Sequence, residues 1–169
     1  MLFRSTVLPG GRTTTIAGID SFDGPVDVAV PPMSVTIRLA DDIDVSRGTM
    51  IVGADRAPVV AQQVEAWICW MSDAARLSPG ARFAIKHTAR TVRAIVTGVR
   101  SRLEINTLAE DLAADGLALN EIGRVILRTT EPLFFDPYRT NRHTGSFILI
   151  DEHTNATVAA GMLLGAVEA

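Results

Sequence analysis

Apolar positions along this chain recur in short runs that alternate with polar ones and stop at turn-forming residues. Val35, Ile37 and Leu39 share one face of a run whose other face carries Thr36 and Arg38, the period of a strand with one covered side. Residues 13–19 are rich in β-branched side chains and precede a turn at Asp23, Gly24 and Pro25. Ser46, Arg47 and Gly48 mark a turn before a further strand signal at residues 50–52. Residues 64–71 are apolar on both faces and predict a well-buried strand; Leu77, Ser78, Pro79 and Gly80 then turn the chain into a strand over 82–86. A long β-rich stretch covers 91–105, and its Gly98 predicts a bulge of the kind a curved strand needs. Leu108 and Leu112 predict one helical turn within 107–114, closed by Asp115 and Gly116. Further strands are expected over 123–131, 146–150 and 157–164. Pro132 and Pro137 bracket Leu133, Phe134 and Phe135, which reads as a short link.

No stretch of ten or more residues has a 3.6-residue period, so the fold class is all-β. Many short strands with regular Gly and Pro turns predict closed or nearly closed barrels. The polar run from Gly53 to Pro58 places a boundary. Residues 1–55 form a first β-domain with three or four strand signals, an incomplete barrel. Residues 56–169 form a second, a complete antiparallel barrel built from about 62–164.

Composition narrows the possibilities. The 169 residues are 47% hydrophobic and 5% aromatic, so the core rests on Val, Ile, Leu and Ala. A net charge of −3 gives no overall attraction to nucleic acid or an anionic membrane. One cysteine, Cys69, excludes an internal disulfide and fits a reducing, cytoplasmic setting; between Trp67 and Trp70 it reads as a core residue. The first residues lack a signal-peptide pattern, and no span is apolar enough for a transmembrane helix.

Catalytic signatures are missing from the sequence. There is no GxxxxGK[ST] run, and the single lysine, Lys86, lies in a strand context; a nucleoside triphosphate cannot be held by that device. His87, His143 and His153 have no second ligand-type residue at metal spacing, and no serine stands in GxSxG. The sequence names no catalytic, cofactor or metal residue. Arg82, Lys86, Arg90, Arg93, Arg100 and Arg102 form a basic segment free of acids. They read as the outer faces of two or three strands, or as a patch for an acidic partner or RNA. Few aromatics accompany them, which weighs against base stacking.

The most unusual run lies between Phe135 and Ile148. Asp136 before Pro137 predicts a turn, and Asn141 and Gly145 tolerate left-handed backbone. Arg139, Asn141 and Arg142 are candidates for partner contact. The equal alternative is a structural loop whose arginines bind local carbonyls.

Several runs together carry a resemblance. Asn120 to Val125, Phe135-Asp136-Pro137-Tyr138, Asn141-Arg142, Thr144 to Asp151, Thr154 to Val158 and Ala160-Gly161-Met162 resemble the C-terminal barrel of the GTPase subunit of sulfate adenylyltransferase. Leu8 to Arg12, Asp20 to Pro25 and Asp42 to Gly48 are similar to the second domain of that subunit. Thr49 departs from the acidic residue common after the Arg-Gly pair. The family is related to elongation factor Tu. It has a GTPase domain followed by two barrels, and in some members a fused adenylylsulfate kinase domain.

The resemblance implies a non-catalytic barrel fragment of a protein that works with a catalytic subunit. Together they make adenosine 5′-phosphosulfate from ATP and sulfate, driven by GTP hydrolysis. It implies no cofactor in this chain, with GTP and magnesium belonging to the parent protein. The implied partners are the catalytic subunit and the GTPase domain of the same chain. The GTPase domain, the opening strands of the first barrel and any kinase are expected to be absent, and Met1 to Ser5 are expected to be foreign to the barrel. The rival reading is a translation-factor-type GTPase whose barrels bind tRNA or protein; nucleic acid is disfavoured by the acidic balance.

Overall fold

A computed structural model describes residues 4–167. The chain divides between Ala57 and Pro58 into two units.

The first unit is a sheet of five strands: β1 (Arg4–Leu8), β2 (Arg12–Ser21), β3 (Gly24–Pro25), β4 (Thr36–Leu39) and β5 (Met50–Gly53). β1 lies between β2 and β5, with Thr6 opposite Thr13 on one side and Val52 on the other. β2 is long enough to pair also with β3 and β4 through its second half. Arg4 and Ser5 are thus integral to the sheet, paired with Thr15 and Thr14. This corrects the expectation that Met1 to Ser5 are foreign to it, so far as it concerns Arg4 and Ser5; Met1 to Phe3 lie outside the described residues. The run of β-branched Thr13, Thr14 and Thr15 supplies the extended backbone that β1 needs as a partner.

The second unit is a closed antiparallel barrel. Its strands are β6 (Val59–Trp70), β7 (Arg82–His87), β8 (Arg90–Glu104), β10 (Ile122–Phe135), β11 (Ser146–Ile150) and β12 (Thr157–Ala166). Around the ring the order is β6, β12, β11, β7, β8, β10 and back to β6. β9 (Ala109–Asp111) adds a short hairpin arm to β8, and a four-residue helical turn, α1 (Arg142–Gly145), precedes β11.

Alternation decides what faces inward. On β6, Val64, Ala66, Ile68 and Trp70 are buried, while Glu65, Trp67 and Cys69 face outward and are half-buried. The expectation of a strand buried on both faces therefore holds for one face only. Cys69 is an outer-face residue rather than a core one. Trp67 is partly covered because the Arg124 guanidinium lies 5.9 Å from its ring centroid. The interior is mostly aliphatic, with Trp70, Phe83, Phe135 and Phe147 as aromatic members; Trp70 and Phe83 meet edge to face at 5.5 Å.

Gly98 lies where the sequence places a bulge. Against β10, the β8 register skips once between Ser101 and Val99 and again between Gly98 and Val96, so the strand bends at both sides of the glycine. Two other expectations change. Residues 107–114 form no helical turn: residues 105–108 are a tight turn, and Ala109–Asp111 pair with β8. Leu108 and Leu112 are both exposed, so their spacing reflects no buried face. Leu133, Phe134 and Phe135 are not a link but the end of β10, opposite Ala61, Val60 and Val59. Pro132 is tolerated because it sits in an irregularity between Arg128 and Leu133, where the ladder asks for no N–H. Side chains cover the gap: the Thr129 hydroxyl reaches the Glu131 carbonyl at 2.7 Å, and the Gln62 amide donates to the Thr130 carbonyl at 3.0 Å.

Candidate functional site

The loop between β10 and β11 is held by its own polar groups. The Asp136 carboxylate accepts from the Asn141 amide at 3.1 Å and from the Thr144 hydroxyl at 2.9 Å. Asn141 caps α1, its side-chain oxygen accepting from the His143 N–H at 3.1 Å. Both ends of the Asn141 amide are therefore used inside the loop. Its backbone is extended, with φ −147°, and Gly145 is not left-handed either. The sequence expectation about left-handed backbone is corrected: Gly145 is required by crowding. A Cβ there would lie 2.6 Å from the Tyr138 nitrogen and 2.9 Å from the Asp136 carbonyl oxygen, both backbone atoms that cannot move aside.

Two bonds tie the loop to the barrel. The Tyr138 N–H donates to the Leu163 carbonyl at 2.9 Å. His87, at the end of β7 and 1% exposed, places Nε2 2.6 Å from the Thr144 carbonyl oxygen. That contact requires Nε2 to carry the proton and donate it. Burial pushes the imidazole pKa below its ordinary value, and the nearby Arg90 charge acts the same way against the opposing Thr144 bond. A neutral ring that donates one hydrogen bond is a structural tether. The sequence weighs His87 only against metal binding, for which it has no companion at metal spacing, and assigns it no role. The signal for its role was present, since Phe83, Ile85 and His87 share the inward parity of β7.

What the loop displays is its arginines. Arg139 and Arg142 are exposed, and neither forms an ion pair among the described residues. Arg142 lies 6.0 Å from the centroid of the Tyr138 ring. Of the three candidate contact residues, two face solvent and the third, Asn141, shapes the backbone that presents them.

Beside the loop runs a groove of about 630 Å³ on the barrel's outer face. The register sets Ile122, Cys69, Ala160, Ile148 and Lys86 in one row across five strands. Tyr138 and His143 from the loop also line it. Its apolar floor, with Lys86 at one end of the row, suits a protein surface with apolar side chains.

Half of the basic segment, by contrast, is neutralised within the barrel. Arg90 pairs with Glu131, Arg93 with Glu152 at 2.9 Å, and Arg102 with Glu121 at 2.9 Å and Asp111 at 3.1 Å. Asp151, Glu152 and His153 belong to a turn in which the Asp151 carboxylate accepts from the Thr154 N–H and hydroxyl and from the His153 N–H. Those bonds, the Thr154 N–H foremost, hold its pKa below the usual carboxylate value.

Residues 63–164 match the family model described as GTP-eEF1A C-terminal domain-like. That span runs from the middle of β6 almost to the end of β12. The chain belongs to this family. Members with known names extend the match through both units. Bifunctional enzyme CysN/CysC of Mycobacterium tuberculosis (strain ATCC 25618 / H37Rv) is 55% identical over 96% of the chain. Sulfate adenylyltransferase subunit 1 of Aeromonas hydrophila is 46% identical over 94% of it. The chain spans only 26% and 33% of the length of these two relatives. The resemblance read from the sequence thus holds for this GTP-eEF1A C-terminal-like chain.

Solved structures agree on the fold. Crystal structures of sup35 complexed with GDP and with GMPPNP superpose on 98% of the chain with TM-scores of 0.85 and 0.86, at 17% identity. The chain covers 40% of each.

Proposed function

We propose that this chain is the barrel portion of the GTPase subunit of a sulfate adenylyltransferase, and that it serves assembly rather than chemistry. One observation carries the reading: identity of 46–55% to proteins of that name and its bifunctional form runs continuously through both units. In such an assembly the catalytic subunit joins ATP and sulfate into adenosine 5′-phosphosulfate. GTP and magnesium act in a GTPase domain, where a phosphate-cradling loop holds them; the present sequence has no such loop. The part left to the barrels is to hold neighbouring surfaces in register.

The loop after β10 is the contact element of this proposal. Its backbone is fixed by Asp136, Asn141, Thr144 and His87, so Arg139 and Arg142 are presented at little ordering cost. Planar guanidinium forks suit carboxylates on the catalytic subunit. The test places Arg139→Ala with Arg142→Ala in the full-length subunit and measures affinity for the catalytic subunit by calorimetry. Removing forks from desolvated charge pairs typically costs about 2–5 kcal/mol of binding. The melting temperature should hardly change, because neither side chain holds the loop. Unchanged affinity would remove the loop from the interface, and a lowered melting temperature with intact affinity would make it a structural element.

A further inference from the structure

A second concavity, of about 520 Å³, lies on the outer face of β7, β8 and β10. Arg82, Arg93 and Arg128 line it, with Glu152 as the one acid among the described residues. The register explains the convergence. Ile95 on β8 stands opposite Arg82 on one side and Arg128 on the other. Arg93 lies two residues along the same face. Glu152 pairs with Arg93 at 2.9 Å. Arg82 and Arg128 are exposed and have no carboxylate partner among the described residues. Cations gathered on one face of three adjacent strands repel. Arg102 and Arg124, elsewhere on this barrel, have acids built against them. Here two forks are left open around the outward-facing Ile95, beside the polar groups of Thr130 and Gln62.

We propose that this cavity binds a small ligand through a tetrahedral oxyanion, a phosphate or sulfate group, held between Arg82 and Arg128. Two guanidinium forks from opposite sides match the several oxygens of such a group. The volume falls in the range of about 300–1,000 Å³ usual for small-molecule sites. Ile95 offers an apolar surface to the ligand's body. Among the described residues no aromatic side chain lines the cavity to stack a base, which disfavours a single-stranded nucleic acid as the occupant. The Arg93–Glu152 pair sets the site's net charge and tunes its strength.

The site is tested on the full chain by calorimetry and amide-shift mapping, with inorganic pyrophosphate in one arm and inorganic sulfate in the other. Saturable binding of either, with shifts centred on Ile95 and Thr130, is the expected result, and the tighter arm names the source of the group. Arg82→Ala with Arg128→Ala should weaken that binding at least tenfold. Arg82→Lys with Arg128→Lys, which keeps charge and loses the forks, should weaken it several-fold. Glu152→Gln should tighten it several-fold by removing the competing carboxylate. Absence of saturable binding in both arms, or equal binding by the alanine double variant, would overturn the proposal. So would a glutamate-rich peptide that binds the site and is not displaced by either anion, which would make it a protein-docking surface.

Discussion

Before Ala57, Ser5, Val7 and Thr14 are the buried side chains among the described residues, and two of the three are hydroxyls. After Pro58, the buried set includes Ile68, Trp70, Leu127, Leu133, Phe135, Leu149 and Leu163, all under 3% exposed. Both regions are strands with alternating patterns. The difference is closure. In the second unit each of the six ring strands has two neighbours, so every inward face meets another. In the first, β4 and β5 each pair with one strand among the described residues, and Phe22, Val28, Val30 and Val45 stay exposed. Burying apolar area yields roughly 25 cal/mol per Å². The same residue types therefore stabilise the barrel far more than the sheet.

The largest test of that contrast is hydrogen exchange. Amides of β6, β10 and β12 should exchange about 100-fold or more slowly than those of β2 and β4, the ratio produced by a difference of about 3 kcal/mol in opening free energy. Equal protection would break the comparison and show that the sheet is closed by a second copy or by an unrecognised core. Limited proteolysis gives the same answer by another route: a resistant fragment should begin near Pro58.

Core substitutions sharpen it next. Leu127→Ala, in a fully buried site, should cost about 2–5 kcal/mol by denaturant titration. Ile37→Ala, at a side chain 39% exposed on β4, should cost about 1 kcal/mol or less. Comparable losses at the two sites would mean that the sheet has a hidden partner face.

Legibility in the sequence followed the same divide. β7, β8, β11 and β12 were readable as apolar or β-branched runs of strand length between turns, and Gly98 announced its bulge. β1 was missed because Arg4 and Ser5 offer no apolar alternation; only the partners Thr14 and Thr15 make them a strand. Leu108 and Leu112 misled because spacing implies a helix only when a buried face exists. Pro132 misled because an irregularity in the ladder can absorb a proline. In the loop, residue types pointed to Arg139, Asn141 and Arg142. The division of labour among them, and the tether from His87, depend on distances that no local pattern encodes.

That tether predicts a pH effect confined to the barrel. His87 is neutral and donates to Thr144 in the folded state, with its pKa below the ordinary 6.5. Between that lowered value and 6.5 the unfolded chain binds the extra proton and the folded chain does not. Barrel stability should therefore fall as pH drops through this window, being fully present above 6.5. His87→Gln keeps a donor toward Thr144 without a titrating group, so its acid limb should be flatter. Parallel acid limbs for both proteins would assign the sensitivity elsewhere.

Surface charge should separate the two units least. Arg38 pairs with Asp20 at 2.7 Å across β4 and β2, with its side chain 58% exposed. Arg124, on β10, donates to Glu65 at 2.7 Å and to Glu110 at 3.3 Å, and it covers Trp67. The Glu65 bond, above all, raises its pKa. Isolated exposed pairs are worth about 0–1 kcal/mol, because solvent screens the attraction and two long side chains lose freedom. Arg38→Gln should therefore move stability by about 0.5 kcal/mol or less. Arg124 is about one-third exposed, so solvent also weakens its pairs, yet they share one guanidinium and one aromatic platform. Arg124→Gln should cost about 1 kcal/mol, and the loss should shrink in high salt while the packing share over Trp67 persists. A double-mutant cycle with Glu65→Gln separates the two parts. A coupling energy indistinguishable from zero would reduce Arg124 to a cover for Trp67, and the barrel would then owe its stability over the sheet to closure alone.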